Sequence, residues 1–186
     1  MAPPSPSNSK SSTLRDLPEG LNHFEVLSVP VHWQMDSASL KKRFLELTAQ
    51  VHPDRFDANG PPQSHYALRW SIAVNRAYQT LRDPEERTRY FLKLQGLDTD
   101  LGHTPTDLAE EYFDVQEGPR SQLVEFRTRL EKVLAECEST SEQLSKYWPG
   151  PEGQKVLTDL HANFVRSRYI RSMLNDLEKK LETTPS

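Results

Sequence analysis

The sequence has one cysteine, seven glycines and no long apolar run in its 186 residues, and each shortage excludes a class of protein. Because Cys137 is the single cysteine, there is no intrachain disulfide framework and no zinc or iron–sulfur motif built from cysteine pairs. No segment approaches the ~20 apolar residues that a membrane-spanning helix needs. The formal net charge of −4 also argues against a nucleic-acid binder that works by bulk electrostatics.

Catalytic and metal-binding motifs are also absent from the sequence. It contains no glycine-rich phosphate loop, no serine nucleophile elbow and no HExxH helix, and its six histidines lack ligand spacing. The carboxylate pairs Glu85-Glu86 and Glu110-Glu111 are explained by helix solubility and by the positive ends of helix dipoles. We therefore expect a protein that is not an enzyme and that needs no cofactor or metal of its own.

The composition changes along the chain and predicts two modules. Residues 1–20 are rich in proline and serine and are predicted to be a disordered tail. They lack the apolar core of a secretory signal, so we expect a cytoplasmic protein. A front module at 21–96, a linker at 97–106 and a back module at 107–183 follow. The front is slightly basic and the back is acidic, which is one way to serve two different partners.

Helical periodicity predicts an all-α fold, and no strand pattern is convincing. In the front module, a helix beginning at the N-cap Asp36 carries the apolar stripe Leu40, Phe44, Leu47 and Val51 and ends at His52-Pro53. We expect it to pack antiparallel to a helix at 64–81, flanked by short helices at 22–28 and from Asp83-Pro84 to Gly96. The back module is predicted to be a bundle of three helices, at 107–117, 121–147 and 152–181.

The most informative feature is His52-Pro53-Asp54, which directly follows the helix bearing Lys41-Lys42-Arg43. Alone, the tripeptide fits a helix-ending turn, and the basic cluster fits a solvated helix face. The whole arrangement from His23 to Leu94, with Asn75-Arg76-Ala77-Tyr78-Gln79-Thr80-Leu81 on the third helix, resembles a J-domain. That resemblance implies that His52, Pro53 and Asp54 trigger ATP hydrolysis in a DnaK-type chaperone. Basic side chains would steer that partner; they are Lys41, Lys42, Arg43 and Arg55, the last standing where the family usually has lysine.

The back module narrows the resemblance. General J-proteins continue into a Gly/Phe-rich segment and cysteine-rich modules, which this sequence lacks. A J-domain followed by a small helical bundle is similar to the HscB family of iron–sulfur cluster assembly. That likeness implies an HscA-like chaperone and an IscU-like scaffold as partners, with no nucleic acid and no membrane. It carries over a scaffold-binding surface to Ala109, Glu110, Phe113, Asp114, Glu117 and Tyr169.

Parts of this surface depart from the family pattern. Ala109 and Glu110 stand where the family prefers larger apolar residues, and Gly118-Pro119 interrupts a helix that the family continues. Phe113 and Tyr169 also fit a purely structural role, burial in the bundle core, because aromatic residues at helical spacing are mostly buried.

Two alternative functions stay open from the sequence. The chain could be a J-protein whose bundle binds a different client, or a helical structural protein that does not stimulate any ATPase. An enzyme would require polar groups converging in a pocket, which the sequence does not suggest.

Overall fold

The computed structural model describes residues 13–56, 61–100 and 106–183, and these form helices without any β-strand. The all-α prediction is confirmed. Contacts divide the chain into two compact units, Met1–Phe91 and Leu92–Ser186. No helix in the described ranges is long and apolar enough to cross a membrane. The helices are α1 His23–Leu27, α2 Ser37–Gln50, α3 Gln63–Arg82, α4 Pro84–Leu94, α5 Thr106–Gln116, α6 Arg120–Ser145 and α7 Gly153–Thr183, with a 3-10 turn at Pro53–Arg55 between α2 and α3.

Three helices of the first unit, α1, α2 and α4, begin after residues whose side chains cap them, whereas α3 begins after Pro62 without a side-chain cap. Asn22 Oδ1 accepts the Glu25 N–H at 3.0 Å and Glu25 Oε2 accepts the Asn22 N–H at 2.8 Å, which is a complete capping box. Asp36 Oδ2 accepts the Ser39 N–H at 2.8 Å, and Asp83 Oδ1 accepts the first amides of α4. Asp36 and Asp83 are therefore the N-caps that the sequence predicts.

The first unit is built around the α2–α3 hairpin. The predicted apolar faces of α2 and α3 are buried, with two side chains, Phe44 and Tyr78, only partly covered. The rings of Phe44 and Tyr78 stack on each other with their centroids 4.1 Å apart. Burying a leucine or valine fully contributes about 1.5–3 kcal/mol. The fully or almost fully buried residues of the two helices and the residue after α2 are Leu40, Leu47, Val51, Ala67, Trp70, Val74, Ala77 and Leu81.

A buried arginine fastens α4 to this hairpin. Arg87 is 3 % exposed, and its Nε and Nη1 donate to the carbonyl oxygens of Trp33 and Leu81, each at 2.7 Å. Burial lowers the pKa of its guanidinium, and Asp83 opposes that shift. Because burying a cation without hydrogen-bond partners costs much free energy, the two carbonyl oxygens stabilise the buried guanidinium.

The N-terminal segment corrects one prediction. Residues 13–20, called here the N-terminal strap, lie along α3 instead of being disordered. Leu14 is 1 % exposed and donates its N–H to Gln63 Oε1 at 2.6 Å, and Trp70 Nε1 donates to the Arg15 carbonyl at 2.9 Å. Asp16 pairs with Arg69 at 2.7 Å. Residues 1–12 lie outside the described residues. Their proline- and serine-rich composition led to the prediction of disorder, and composition alone does not reveal that Leu14 is buried.

The structure also corrects the predicted linker at residues 97–106, because part of it packs against α7. Thr99 is 2 % exposed and its carbonyl accepts from Arg168 Nη1 of α7 at 2.9 Å. The Asp98 carbonyl lies 2.7 Å from His161 Nε2, and Asp100 pairs with Lys93 at 3.3 Å. Residues 97–100 therefore belong to the packing of the second unit, whereas residues 101–105 lie outside the described residues.

The second unit is the three-helix bundle that the sequence predicts. Helices α6 and α7 pack along their lengths, and α5 lies on α6. The core is Leu108, Leu123, Phe126, Leu130, Cys137, Ile170, Met173, Leu177 and Leu181. Burial raises the pKa of the Cys137 thiol, so this lone cysteine behaves as a small apolar core residue.

Candidate functional site

The turn after α2 has a fixed backbone. His52 is in extended geometry, and Pro53 starts a 3-10 turn in which Arg55 N–H donates to the His52 carbonyl at 3.1 Å. Phe56 N–H donates to the Pro53 carbonyl at 2.7 Å. Val51 and Phe56, which flank the turn, are 0 % and 6 % exposed. Because both ends are anchored in the core, the turn has little freedom to change shape.

The two polar side chains of this turn point into solvent. The side chain of His52 is 52 % exposed and that of Asp54 is 82 % exposed, with Nδ1 and Oδ2 3.5 Å apart. An exposed contact of this kind contributes little to stability, so a partner can separate the two side chains at little cost. The turn therefore presents an imidazole and a carboxylate side by side.

The basic residues near the turn divide into two kinds. Lys41 and Lys42 are exposed on α2. Arg43 is half-buried and donates from Nε to the Leu27 carbonyl at the end of α1 at 3.0 Å. Arg55 Nη1 donates to the Ala49 carbonyl in the last turn of α2 at 2.8 Å. The two lysines are thus the freer charges, while both arginines also hold helix ends.

A groove with a volume of about 460 Å³ lies beside α1. It lies between the strap, α1 and α3, and its lining includes one histidine, His23, and one carboxylate, Glu19. His23 stacks on Tyr90 with centroids 4.4 Å apart, and burial first and then Arg76 lower its pKa. No group of three metal-ligating side chains occurs within the described ranges. The groove lining contains no nucleophile–base pair.

The predicted scaffold residues of α5 share an outward face. Phe113 is 67 % exposed, which excludes the bundle-core alternative for it. Glu110, Asp114 and Glu117 are exposed beside it and Ala109 is half-buried. Residues three and four apart lie on one side of a helix, so the aromatic ring stands among carboxylates.

Tyr169 lies in a different environment, at the margin of the bundle core. Its neighbour on α5 is Tyr112, whose pKa is raised first by burial and then by Asp176 and Tyr169. The rings of Tyr112 and Phe113 are 6.1 Å apart. Tyr112 therefore lies between the exposed ring and the partly buried one. Tyr112 is not among the predicted site residues, although its position four residues after Leu108 marks it as the inward neighbour of Phe113.

Comparison with known proteins identifies related families. The family described as DnaJ domain matches residues 22–90. A co-chaperone protein HscB homolog of Burkholderia thailandensis is 37% identical over 114 residues, 61% of each chain. The homolog of Paraburkholderia xenovorans is 43% identical over 114 residues, again 61% of each chain. In both, the match spans less than two thirds of the relative's length.

Solved structures share the architecture. The human co-chaperone protein HscB is 20% identical with a TM-score of 0.65, over 90% of this chain and 86% of that one. At that identity the likeness concerns the fold alone. The chaperone HscB from Vibrio cholerae is 27% identical with a TM-score of 0.57, over 87% of this chain and 98% of that one.

Proposed function

We propose that this chain is an HscB-type J-domain co-chaperone that stimulates ATP hydrolysis by a DnaK-type chaperone of the HscA kind. The observation that carries the proposal is the exposed pair His52 and Asp54 on a rigid turn inside the matched DnaJ domain. The chain supplies no reacting group. It lowers a conformational barrier in the partner's ATPase.

The geometry of the turn supports this role through preorganisation. Pro53 and the buried neighbours Val51 and Phe56 hold the backbone, so binding a partner costs little further ordering of the chain. The exposed Lys41 and Lys42 supply positive charge on the preceding helix, which raises the rate of encounter with an acidic surface.

We assign the second unit to binding an IscU-like scaffold and delivering it to the chaperone, which would promote iron–sulfur cluster assembly and transfer. The support is the outward face of α5, where an aromatic ring is surrounded by carboxylates. An exposed aromatic anchor with a charged rim is typical of a protein-binding surface, and here it suits an apolar pocket edged with basic groups. Tyr169, half-buried at the margin of the bundle core, extends this surface.

Single-turnover ATP hydrolysis by an HscA-like chaperone tests the first assignment. Adding the intact chain should raise the rate, and adding an IscU-like scaffold with it should raise the rate further. A rate that stays at the chaperone's own level at every concentration of the chain would leave only a helical structural role.

Capture of the scaffold tests the second assignment separately. The immobilised intact chain should retain a purified IscU-like protein. If it stimulates the ATPase but retains no scaffold, the chain is a J-protein for a different client.

A further inference from the structure

We propose that the N-terminal strap clamps the loop-bearing end of the α2–α3 hairpin and thereby positions the turn that carries His52 and Asp54. The strap lies before the residues matched as a DnaJ domain, which begin at residue 22. Its hydrogen bonds with Gln63 and Trp70 and its ion pair with Arg69 fall in the first half of α3, so these contacts act at one end of the hairpin.

The register of the hairpin places those contacts at the level of the turn. Phe44 of α2 stacks on Tyr78 of α3. Because the two helices run antiparallel with the same rise per residue, the end of α2 at Gln50 is level with Ile72 of α3, and the turn that follows at His52 lies near the level of Trp70. Trp70 is the side chain whose indole N–H donates to the strap at Arg15.

The lengths of the helices explain why a clamp is needed there. Helix α2 has 14 residues and α3 has 20, so the first turns of α3 extend beyond the end of α2. Ala67 and Trp70 are nevertheless 0 % and 1 % exposed. The 3-10 turn packs against α3, and the strap with its buried Leu14 is bonded to the first half of this helix.

The polar contacts between the strap and α3 span about two turns of the helix. The Leu14 amide reaches Gln63, the Arg15 carbonyl reaches Trp70, and Asp16 reaches Arg69. Fixing these turns restrains the helix against which the 3-10 turn packs, and the buried Phe56 ends that turn. The strap residues therefore act as positioning residues for His52 and Asp54.

Hydrogen exchange of the full chain tests the clamp without any partner. The amides of Arg55 and Phe56, which close the 3-10 turn, should exchange at least ~10-fold faster in Leu14→Ala, while those of Ala77 and Leu81 change by less than ~3-fold. Leu68→Ala, the same truncation at a half-exposed position of α3, is the matched control and should leave the turn unchanged. Leu14→Met should restore slow exchange.

A second variant keeps the test decisive if Leu14→Ala does not fold. Trp70→Phe keeps an aromatic ring and removes the N–H donated to Arg15, so it should speed exchange at the turn by a smaller factor. Equal acceleration of all amides in the first unit, or no change at Arg55 and Phe56, would overturn the clamp.

The consequence for the partner rests on the proposed function. Leu14→Ala should raise the concentration needed for half-maximal ATPase stimulation about 10-fold and leave the maximal rate nearly unchanged, because a saturating partner selects the correct turn. A lowered maximum with an unchanged half-maximal concentration would contradict this. If the wild-type chain stimulates nothing, the proposed function fails, and hydrogen exchange still decides whether the strap clamps the turn.

Discussion

Phe113 shows at the scale of one residue how exposure distinguishes a binding surface from a core. It follows Tyr112, which packs toward the bundle, yet its own side chain faces solvent and is 67 % exposed. Exposing an aromatic ring to solvent lowers the stability of the fold and favours association with another protein. The sequence left burial of Phe113 in the core open, although the position of Tyr112 four residues after Leu108 was a local signal that Tyr112 is the inward residue of the two.

Replacing Phe113 therefore gives a prediction with two readouts. Phe113→Ala should weaken binding of an IscU-like scaffold by ~1–3 kcal/mol and leave the melting temperature nearly unchanged. Leu123→Ala, which truncates a fully buried core residue, should instead cost ~2–5 kcal/mol of stability. Titration calorimetry and thermal melting of both variants check this. Strong destabilisation by Phe113→Ala would show that the ring is a packing residue.

His23 gives a prediction on pH. Its folded pKa lies below the ordinary value of 6.5, because burial and Arg76 disfavour the charged imidazole. Below pH 6.5 the unfolded chain takes up a proton that the folded chain does not, so the free energy of unfolding falls as the pH falls to the folded pKa.

His23→Gln should remove that part of the pH dependence. Urea unfolding between pH 7.5 and pH 5.5 should show a smaller loss of stability in the variant than in the wild type. An identical loss in both proteins would mean that another group causes it.

At the scale of elements, helix ends were predictable because their signals are local. Asp36 and Asp83 cap the helices that the sequence assigns to them, since the capping geometry depends on three or four consecutive residues. The N-terminal strap was not predictable, because its order depends on contacts with α3 some 50 residues away. Arg43 and Arg55 likewise looked like free charges in the sequence, and only the fold shows the carbonyl groups they contact.

The cap of α4 can be tested by separating its hydrogen bonds from its charge. Asp83→Ala should lower the free energy of unfolding by ~1 kcal/mol, because the amides of Glu85 and Glu86 lose their acceptor. Asp83→Asn keeps an acceptor and should retain most of that stability. Tryptophan fluorescence during urea unfolding measures both. If Asn and Ala cost the same, the carboxylate's charge matters and its capping bonds do not.

At the scale of the whole molecule, the chain consists of two compact units with different surfaces. One unit carries the rigid turn and exposed lysines, and the other carries an aromatic ring among acids. The order of these units, and the likeness to HscB proteins, could be predicted from short motifs because the J-domain residues are closely spaced in sequence. The arrangement of Phe113, Tyr112 and Tyr169 could not, because it depends on packing between α5 and the rest of the bundle.

Two units imply two separable activities. Phe113→Ala should leave stimulation of the ATPase by the chain alone unchanged, whereas His52→Gln should leave scaffold binding unchanged. Measuring both activities for both variants tests this. Loss of both activities in either variant would mean that the two surfaces do not function independently.

The most direct test of the central claim compares ATP hydrolysis by the HscA-like chaperone in the presence of the wild-type chain and of His52→Gln. His52 is exposed, so the variant should keep the helical circular dichroism and melting temperature of the wild type. We expect the wild type to stimulate hydrolysis and the variant to leave it at the chaperone's own rate. Equal stimulation by the two folded proteins would contradict the role given to this turn.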